Sequence, residues 1–353
     1  MQYPRLIINT DVIRNNTKLI VDKCSQNGIA VVGVTKGVCA QKEIVESFIK
    51  GGVKFLGDSR IENLISLAKY DIPKMMLRLP MISEADKIVK YTDLSLNSEI
   101  DTIRALDKAA LRAGKIHGII LMIDLGDLRE GYYYEKNLLR TVELVCQMEN
   151  VKVTGLGTNL TCFGAVIPED SSMITLERLS REINDKLNLD IEIISGGNSS
   201  TLHLLEKGKI KGINNLRLGE SLLLGKETAY NTQINGTSSA GFILEAEIIE
   251  RKSKPSMPVG KIGLDAFGDV PVFIDKGLRT KLICAIGKQD VKVESLIAMD
   301  KDLKILGASS DHLIIDSTDS SLEYKVGDIV SFHLGYSGIL SSMTSKYIKK
   351  III

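Results

Sequence analysis

The stretch IAVVGVTKGVCA, residues 29–40, decides how the rest of this chain is read. Residues 29–35 carry apolar side chains at odd and even positions alike. That predicts a strand buried on both faces, as in a parallel sheet covered by helices. The run stops at Lys36, which places this lysine at the carboxyl end of the strand, where α/β folds put their chemistry. An amine leaving an apolar wall is expected to lose solvation, which lowers its pKa and frees it to attack a carbonyl. A solvated strand-end lysine is the competing reading, and the surrounding segments have to decide between them.

Residues 6–9 read as a short opening strand, after which Thr10 or Asp11 can cap a helix reaching to about residue 27. Strands at 29–35, 53–56, 74–79, 93–96, 118–124, 151–157, 191–194 and 215–217 then alternate with helices at 41–50, 60–69, 83–90, 99–113, 135–148, 172–187 and 201–206. Eight strands in regular alternation over roughly two hundred residues predict an α/β protein built on a (β/α)8 TIM barrel, with a doubly wound open sheet as runner-up. From about residue 241 the texture changes to short β-branched runs at 243–249, 281–285, 303–306, 313–316 and 329–332, with helical periodicity almost absent. This predicts a C-terminal all-β domain of about 110 residues, joined by the turn-rich linker 230–239. The expected domains are therefore 1–230 for the barrel and 231–353 for the β-domain, with the opening strand at about 5–9 free to join the latter.

At 353 residues the chain is long enough for these two cores, and a net charge of +1 gives no electrostatic footprint for nucleic acid or an anionic membrane. A small-molecule site is the expected use. The five cysteines, Cys24, Cys39, Cys146, Cys162 and Cys284, are scattered without a C-x-x-C pair, and His117, His203, His312 and His333 lie apart. Free thiols, a reducing compartment and no metal site are expected. The opening MQYPRLIINTDV lacks the pattern of a signal peptide and no run approaches membrane-spanning length, so a soluble cytoplasmic protein is expected.

Barrel chemistry collects in the loops after the strands. Lys36 follows the first barrel strand, DLGDLREG at 124–131 the fifth, Thr158 and Asn159 the sixth, GGNSS at 196–200 the seventh, and RLGES at 217–221 the eighth. A glycine-rich turn opening a helix offers N–H groups and hydroxyls to an anion, and barrels often bind phosphate after strands seven and eight. Two such loops and a lysine after strand one fit a phosphorylated carbonyl cofactor, pyridoxal 5'-phosphate, held by its phosphate and tethered as an imine.

These residues give the chain a resemblance, from end to end, to fold-type III pyridoxal-phosphate enzymes of the alanine racemase superfamily, and within it to ornithine racemase-like proteins. The resemblance implies that Lys36 is the cofactor lysine and that Arg129 supports cofactor and substrate carboxylate, although Arg129 could merely pair with Asp127 or Glu130. It implies that Asn198 and Ser199 lie near the ring and phosphate, that Arg217 faces the pyridine nitrogen, and that Gly219 and Glu220 bring backbone amides to the phosphate. In the β-domain, Ser310 and Asp311 fall in the segment resembling the substrate-carboxylate site, and Ser345 matches a phosphate-contacting tyrosine. Asn159 replaces the ring-stacking histidine of alanine racemases, Ala40 a tyrosine, and Lys288 the catalytic tyrosine. The activity implied is amino-acid racemisation by two bases, Lys36 on one face of Cα and Lys288 on the other, the second supplied across a homodimer. A decarboxylase of the same fold and a non-catalytic pyridoxal-phosphate carrier are the alternatives. The segments expected at the mouth, residues 263–266, 288–290 and 310–312, contain Asp265, Asp290 and Asp311. Their charge favours a basic substrate side chain, and the resemblance to ornithine racemase-like proteins implies ornithine first and lysine next.

Overall fold

In the computed structural model every residue is described except Met1, Lys207, Lys209, Ala266 and Asp269. Ala266, expected in a mouth segment, therefore lies outside the described residues. The elements in chain order begin with β1 (Arg5–Ile8), α1 (Thr10–Ser25), β2 (Ala30–Val34), α2 (Lys42–Lys50), β3 (Phe55–Asp58), α3 (Ile61–Leu67), β4 (Lys74–Met76), α4 (Ala85–Tyr91), β5 (Leu94–Asn97) and α5 (Ile100–Ala113). They continue with β6 (His117–Ile123), α6 (Glu135–Val145), β7 (Val151–Thr158), α7 (Asp170–Leu187), β8 (Ile193–Ser195), α8 (His203–Glu206), β9 (Asn215–Leu218) and α9 (Glu220–Leu224). The remainder is β10 (Phe242–Pro255), β11 (Leu278–Cys284), β12 (Leu296–Ala298), β13 (Lys304–Ala308), β14 (Leu313–Asp316), β15 (Ile329–Leu334), α10 (Tyr336–Thr344) and β16 (Lys349–Ile352).

Strands β2 to β9 form a closed barrel, and every pairing within it is parallel. Closure is made by β2 against β9, where Val32 lies opposite Arg217. Val32, Met75, Leu94, Leu96, Ile120 and Met122 form one buried cluster. Strand β2 is not a sheet neighbour of β5 or β6, so these side chains meet across the barrel, and the barrel is a packed core with its chemistry confined to the rim. The expected alternation of strands and helices is what the fold shows. Helix α9 was not foreseen, and 201–206 is a 3-10 turn, Ser199–Leu202, running into the short α8.

The chain divides into two compact units, Thr10–Ser239 with the barrel, and the residues up to Asn9 together with Ala240–Ile353. In the second unit the strand order is β12-β15-β10-β11-β14-β13, and β1 pairs with both β10 and β16. Strand β10 runs for 14 residues. Its first half pairs with β1 and β15, its second with β11, and the register shifts between Ile248 and Glu250. That bulge lets one strand serve two sheet directions. Near-absence of helix in this region is corrected by α10, whose sequence YSGILSSMT carries too many small residues to show helical periodicity. It packs closely on its neighbour, where a Cβ on Gly338 would stand 2.3 Å from Ser295 Oγ and 3.0 Å from Leu334 Cδ2. Among the described residues no helix is long and apolar enough to cross a membrane.

Gly155 in β7 shows how tightly the barrel closes, since an added Cβ would lie 2.7 Å from the carbonyl oxygen of Ile193 in β8. Overpacking against backbone cannot be relieved by a rotamer change. Gly155→Ala should lower stability by about 1–3 kcal/mol, read from the urea midpoint at unchanged m-value.

Candidate functional site

The polar residues gather where the barrel strands end. Lys36 opens the 3-10 turn Lys36–Val38 directly after β2. Its side chain is exposed, so the expected desolvation against an apolar wall is not provided by the chain. What holds the segment is the buried residue before it: Thr35 Oγ1 donates to Asp58 Oδ2 at 2.6 Å. Asp58, at the end of β3, also accepts from Arg60 N at 2.9 Å and from Asn63 Nδ2 at 3.1 Å. Burial raises the Asp58 pKa, against the opposing pull of these donors.

Arg217 lies on β9 and is only 4% exposed. Its guanidinium donates to Ser195 Oγ, to the carbonyl of Thr158 at 2.6 Å and to Asn159 Oδ1 at 2.8 Å. Burial pushes its pKa down to about 10, with Glu130 acting to raise it, so it remains a cation at neutral pH. The Asn159 amide donates in turn to Glu130 Oε1 at 2.5 Å. Glu130 is the partner of Arg129, whose Nη2 reaches the same oxygen at 2.7 Å and whose Nε contacts Oε2. The structure thus brings Arg129, Asn159 and Arg217 into one chain, in which Arg129 pairs with Glu130, one of the two carboxylates open to it in the sequence, and in which Ser195 and the Asn159–Glu130 bond are links not read from the sequence. A carboxylate directly after the loop arginine was the available signal.

The loops after β8 and β9 meet through Ser199 Oγ and Ser221 Oγ at 3.1 Å, and Ser221 N donates to Ser199 Oγ at 3.2 Å. Gly197 makes the turn, with φ at +111° and a Cβ position 2.9 Å from Thr201 Oγ1, so only glycine fits without strain. Asn198 Oδ1 accepts from Ser200 N at 2.9 Å and its amide donates to the Leu160 carbonyl at 3.0 Å, tying this turn to the loop after β7. Ser200 Oγ is buried and has no hydrogen-bond partner. Gly219 packs on Val34 at the end of β2, which brings Glu220, the first residue of α9, beside the strand that leads into Lys36. Burial pushes the Glu220 carboxyl up to about 7, with Lys226 pulling the other way.

In the other unit Lys288 holds its ammonium 3.8 Å from the centroid of the Phe267 ring. Lys288 N and Gln289 N donate to the carbonyls of Ser309 and Ser310 at 2.9 and 3.0 Å, so Lys288, Ser310 and Asp311 share one edge. Asp311 is exposed and accepts from Ser310 Oγ at 3.3 Å and faces His312 Nδ1 at 3.3 Å. Asp265 is exposed and accepts from Phe267 N at 2.8 Å. Asp290 departs from expectation: it is 5% exposed and accepts from Ser345 Oγ at 3.1 Å and Gly287 N at 3.3 Å, so this carboxylate and Ser345 bind each other. Among the described residues no disulfide joins any of the five cysteines, and no group of His, Cys, Asp and Glu is placed to hold a metal ion.

The family profile described as alanine racemase, N-terminal domain, matches residues 8–226. A protein named ornithine racemase from Acetoanaerobium sticklandii is 46% identical over 349 residues, covering 99% of each chain. A protein named lysine racemase from Thermotoga maritima is 41% identical over 354 residues, again covering 99% of each. Among solved structures, alanine racemase from Bartonella henselae with covalently bound pyridoxal phosphate superposes with a TM-score of 0.75 over 100% of both chains, at 16% identity.

Asp127 governs the loop beside these residues. Its carboxylate accepts from Cys162 N at 3.0 Å, Phe163 N at 2.8 Å and Val166 N at 3.2 Å. Burial works to raise its pKa, but these donors outweigh it and hold the carboxyl below the usual carboxylate range. A carboxyl depressed in the folded state stabilises fully above its unfolded pKa, and the contribution is lost as pH falls through the lower folded value. Asp127→Asn should therefore cost about 1–3 kcal/mol at pH 7, and the cost should shrink progressively as pH falls below the usual carboxylate range. Amide exchange at Phe163 and Val166 should quicken in the variant, and unchanged exchange would remove the clamp.

Proposed function

The chain belongs to the alanine racemase family and is a racemase, and we propose that it uses pyridoxal 5'-phosphate to interconvert L- and D-ornithine, with lysine as the next substrate. The observation that carries this reading is the buried Arg217 guanidinium at the end of β9, with Lys36 at the end of the neighbouring β2. The residues fit the cofactor. Ser200 Oγ is a buried hydroxyl without a partner, and the loops around it present further hydroxyls and N–H groups, a donor set suited to a phosphate. Ser199, Asn198, Gly219 and Glu220 would hold that end, Arg217 and Asn159 the ring, and Arg129 the side facing the substrate.

Bound there, pyridoxal phosphate would supply an electron sink that acidifies the Cα proton of an amino acid. Arg217 donates only and keeps its proton, so it restrains that sink and favours return of the proton to Cα over transfer elsewhere. Lys36 holds and returns the proton on one face. Inversion needs a second group opposite, because a single base returns the proton to the face it left. Lys288, supplied by the second subunit of a homodimer, fills that role in this reading. Asp265 and Asp311, both exposed, give the mouth its preference for a basic side chain, and a carboxylate about 4 Å from an ammonium contributes on the order of 1–4 kcal/mol.

Incubated with L-ornithine, the protein should drive optical rotation to zero without releasing carbon dioxide. Carbon dioxide release would instead mark a decarboxylase, and alanine turned over as efficiently as ornithine would remove the basic-substrate assignment. Lys36→Ala and Lys288→Ala should each be inactive alone. Mixed and re-associated in equal amounts, they should recover about a quarter of wild-type activity, since half the dimers are mixed and each has one intact site. No recovery would sink the shared site. Asp265→Asn and Asp311→Asn should each raise KM for ornithine several-fold, about 1 kcal/mol, and leave KM for a neutral amino acid of similar length unchanged.

A further inference from the structure

We propose that Glu130 is the counter-charge of this site, balancing Arg129 directly and the buried Arg217 through the Asn159 amide, and so fixing how Arg217 is turned. Only the statement of what Arg217 faces rests on the cofactor reading above. The charge balance belongs to the chain itself.

The three acceptors that hold Arg217 are a hydroxyl, a carbonyl and an amide oxygen, none of them charged. A buried cation surrounded only by neutral dipoles is poorly compensated, so the nearest carboxylate in its network carries weight. Glu130 is that carboxylate, one amide away. Its position is fixed by the backbone: the turn after β6 folds back so that Tyr132 N donates to the Met122 carbonyl at 2.8 Å and Asp124 N to the Tyr132 carbonyl at 3.2 Å. Gly131, at φ +131°, makes the turn, and a Cβ there would stand 2.5 Å from Asp124 N.

Glu130 also decides which way Asn159 points. With Nδ2 committed to a carboxylate, Oδ1 has to face the guanidinium, whereas the flipped amide would set donors against donors at Arg217 and an acceptor against Glu130. Both oxygens of Glu130 are in use, and its side chain is only 15% exposed, so it is a positioning residue rather than a substrate ligand. An amide cannot pass a proton along the chain in the way an imidazole could. Charge therefore stays where the structure puts it, on Arg217 and on Glu130.

The test compares Glu130→Gln, Glu130→Ala and the double variant Glu130→Gln with Asn159→Asp, first as cofactor-free protein by thermal unfolding at pH 7. Each single variant should melt about 5 °C or more below wild type. Formate should restore much of the loss in Glu130→Ala while formamide of similar size should not, and wild type should respond to neither. The double variant, which moves the negative charge one step closer to Arg217, should recover stability lost in Glu130→Gln, and it keeps the test open if the alanine variant fails to fold. Melting of Glu130→Gln within about 1 °C of wild type, or equal rescue by formamide, overturns the proposal. Reconstitution with pyridoxal phosphate follows, reading the visible absorption band: the band should weaken in Glu130→Gln and return in the double variant. If wild type itself gains no band, the cofactor reading fails while the melting comparison still decides Glu130.

Discussion

The site depends on the burial of a guanidinium inside the rim of a closed barrel. Arg217 cannot shed its proton at neutral pH, so every group around it has to accept a hydrogen bond, and Ser195, Thr158 and Asn159 each do. Those residues come from β8 and from the end of β7 and its loop, and Arg217 itself comes from β9. One charged side chain thereby couples the register of three strands to the geometry of the loops they carry. The alternation of buried strands and helices supplies the rigid frame, and the demand for acceptors selects what sits on it.

Much of the barrel was legible because strands such as β2 and β6 are apolar at almost every position, a pattern that local sequence carries by itself. The order of strands and helices, and hence which loops share a rim, followed from that pattern. Element ends were less legible. Strand β4 stops at Met76, three residues short of the expected end at Leu79, and the helix expected at 201–206 begins as the 3-10 turn Ser199–Leu202 behind the Asn198 cap. Helix α10 could not be read from periodicity, since Gly338 and Ser342 occupy its buried face.

The site was legible by residue type and position more than by contact. A lysine, two arginines and two hydroxyl-bearing glycine turns stand out in sequence. What a sequence does not show is which neutral side chain joins two charges, and Asn159 does so only because the loops after β6 and β7 lie side by side. Asp290 is the opposite case: it read as a surface carboxylate at the mouth, yet Gly287 of its own turn and Ser345 from a distant part of the chain close around it.

The way β1 is paired bears on how the molecule is made. Ile8 lies opposite Phe242 in β10 and beside Ile352 in β16, with the whole barrel inserted between the first two in sequence. As the chain leaves the ribosome, β1 has no partner until the barrel has emerged, and its second partner comes later still. Pairings of such long sequence separation form slowly, whereas the barrel is complete within one continuous stretch and can close first. The nascent chain therefore carries an unpaired apolar strand tethered to a folded barrel until β10 emerges, an edge of the kind that invites pairing with another chain.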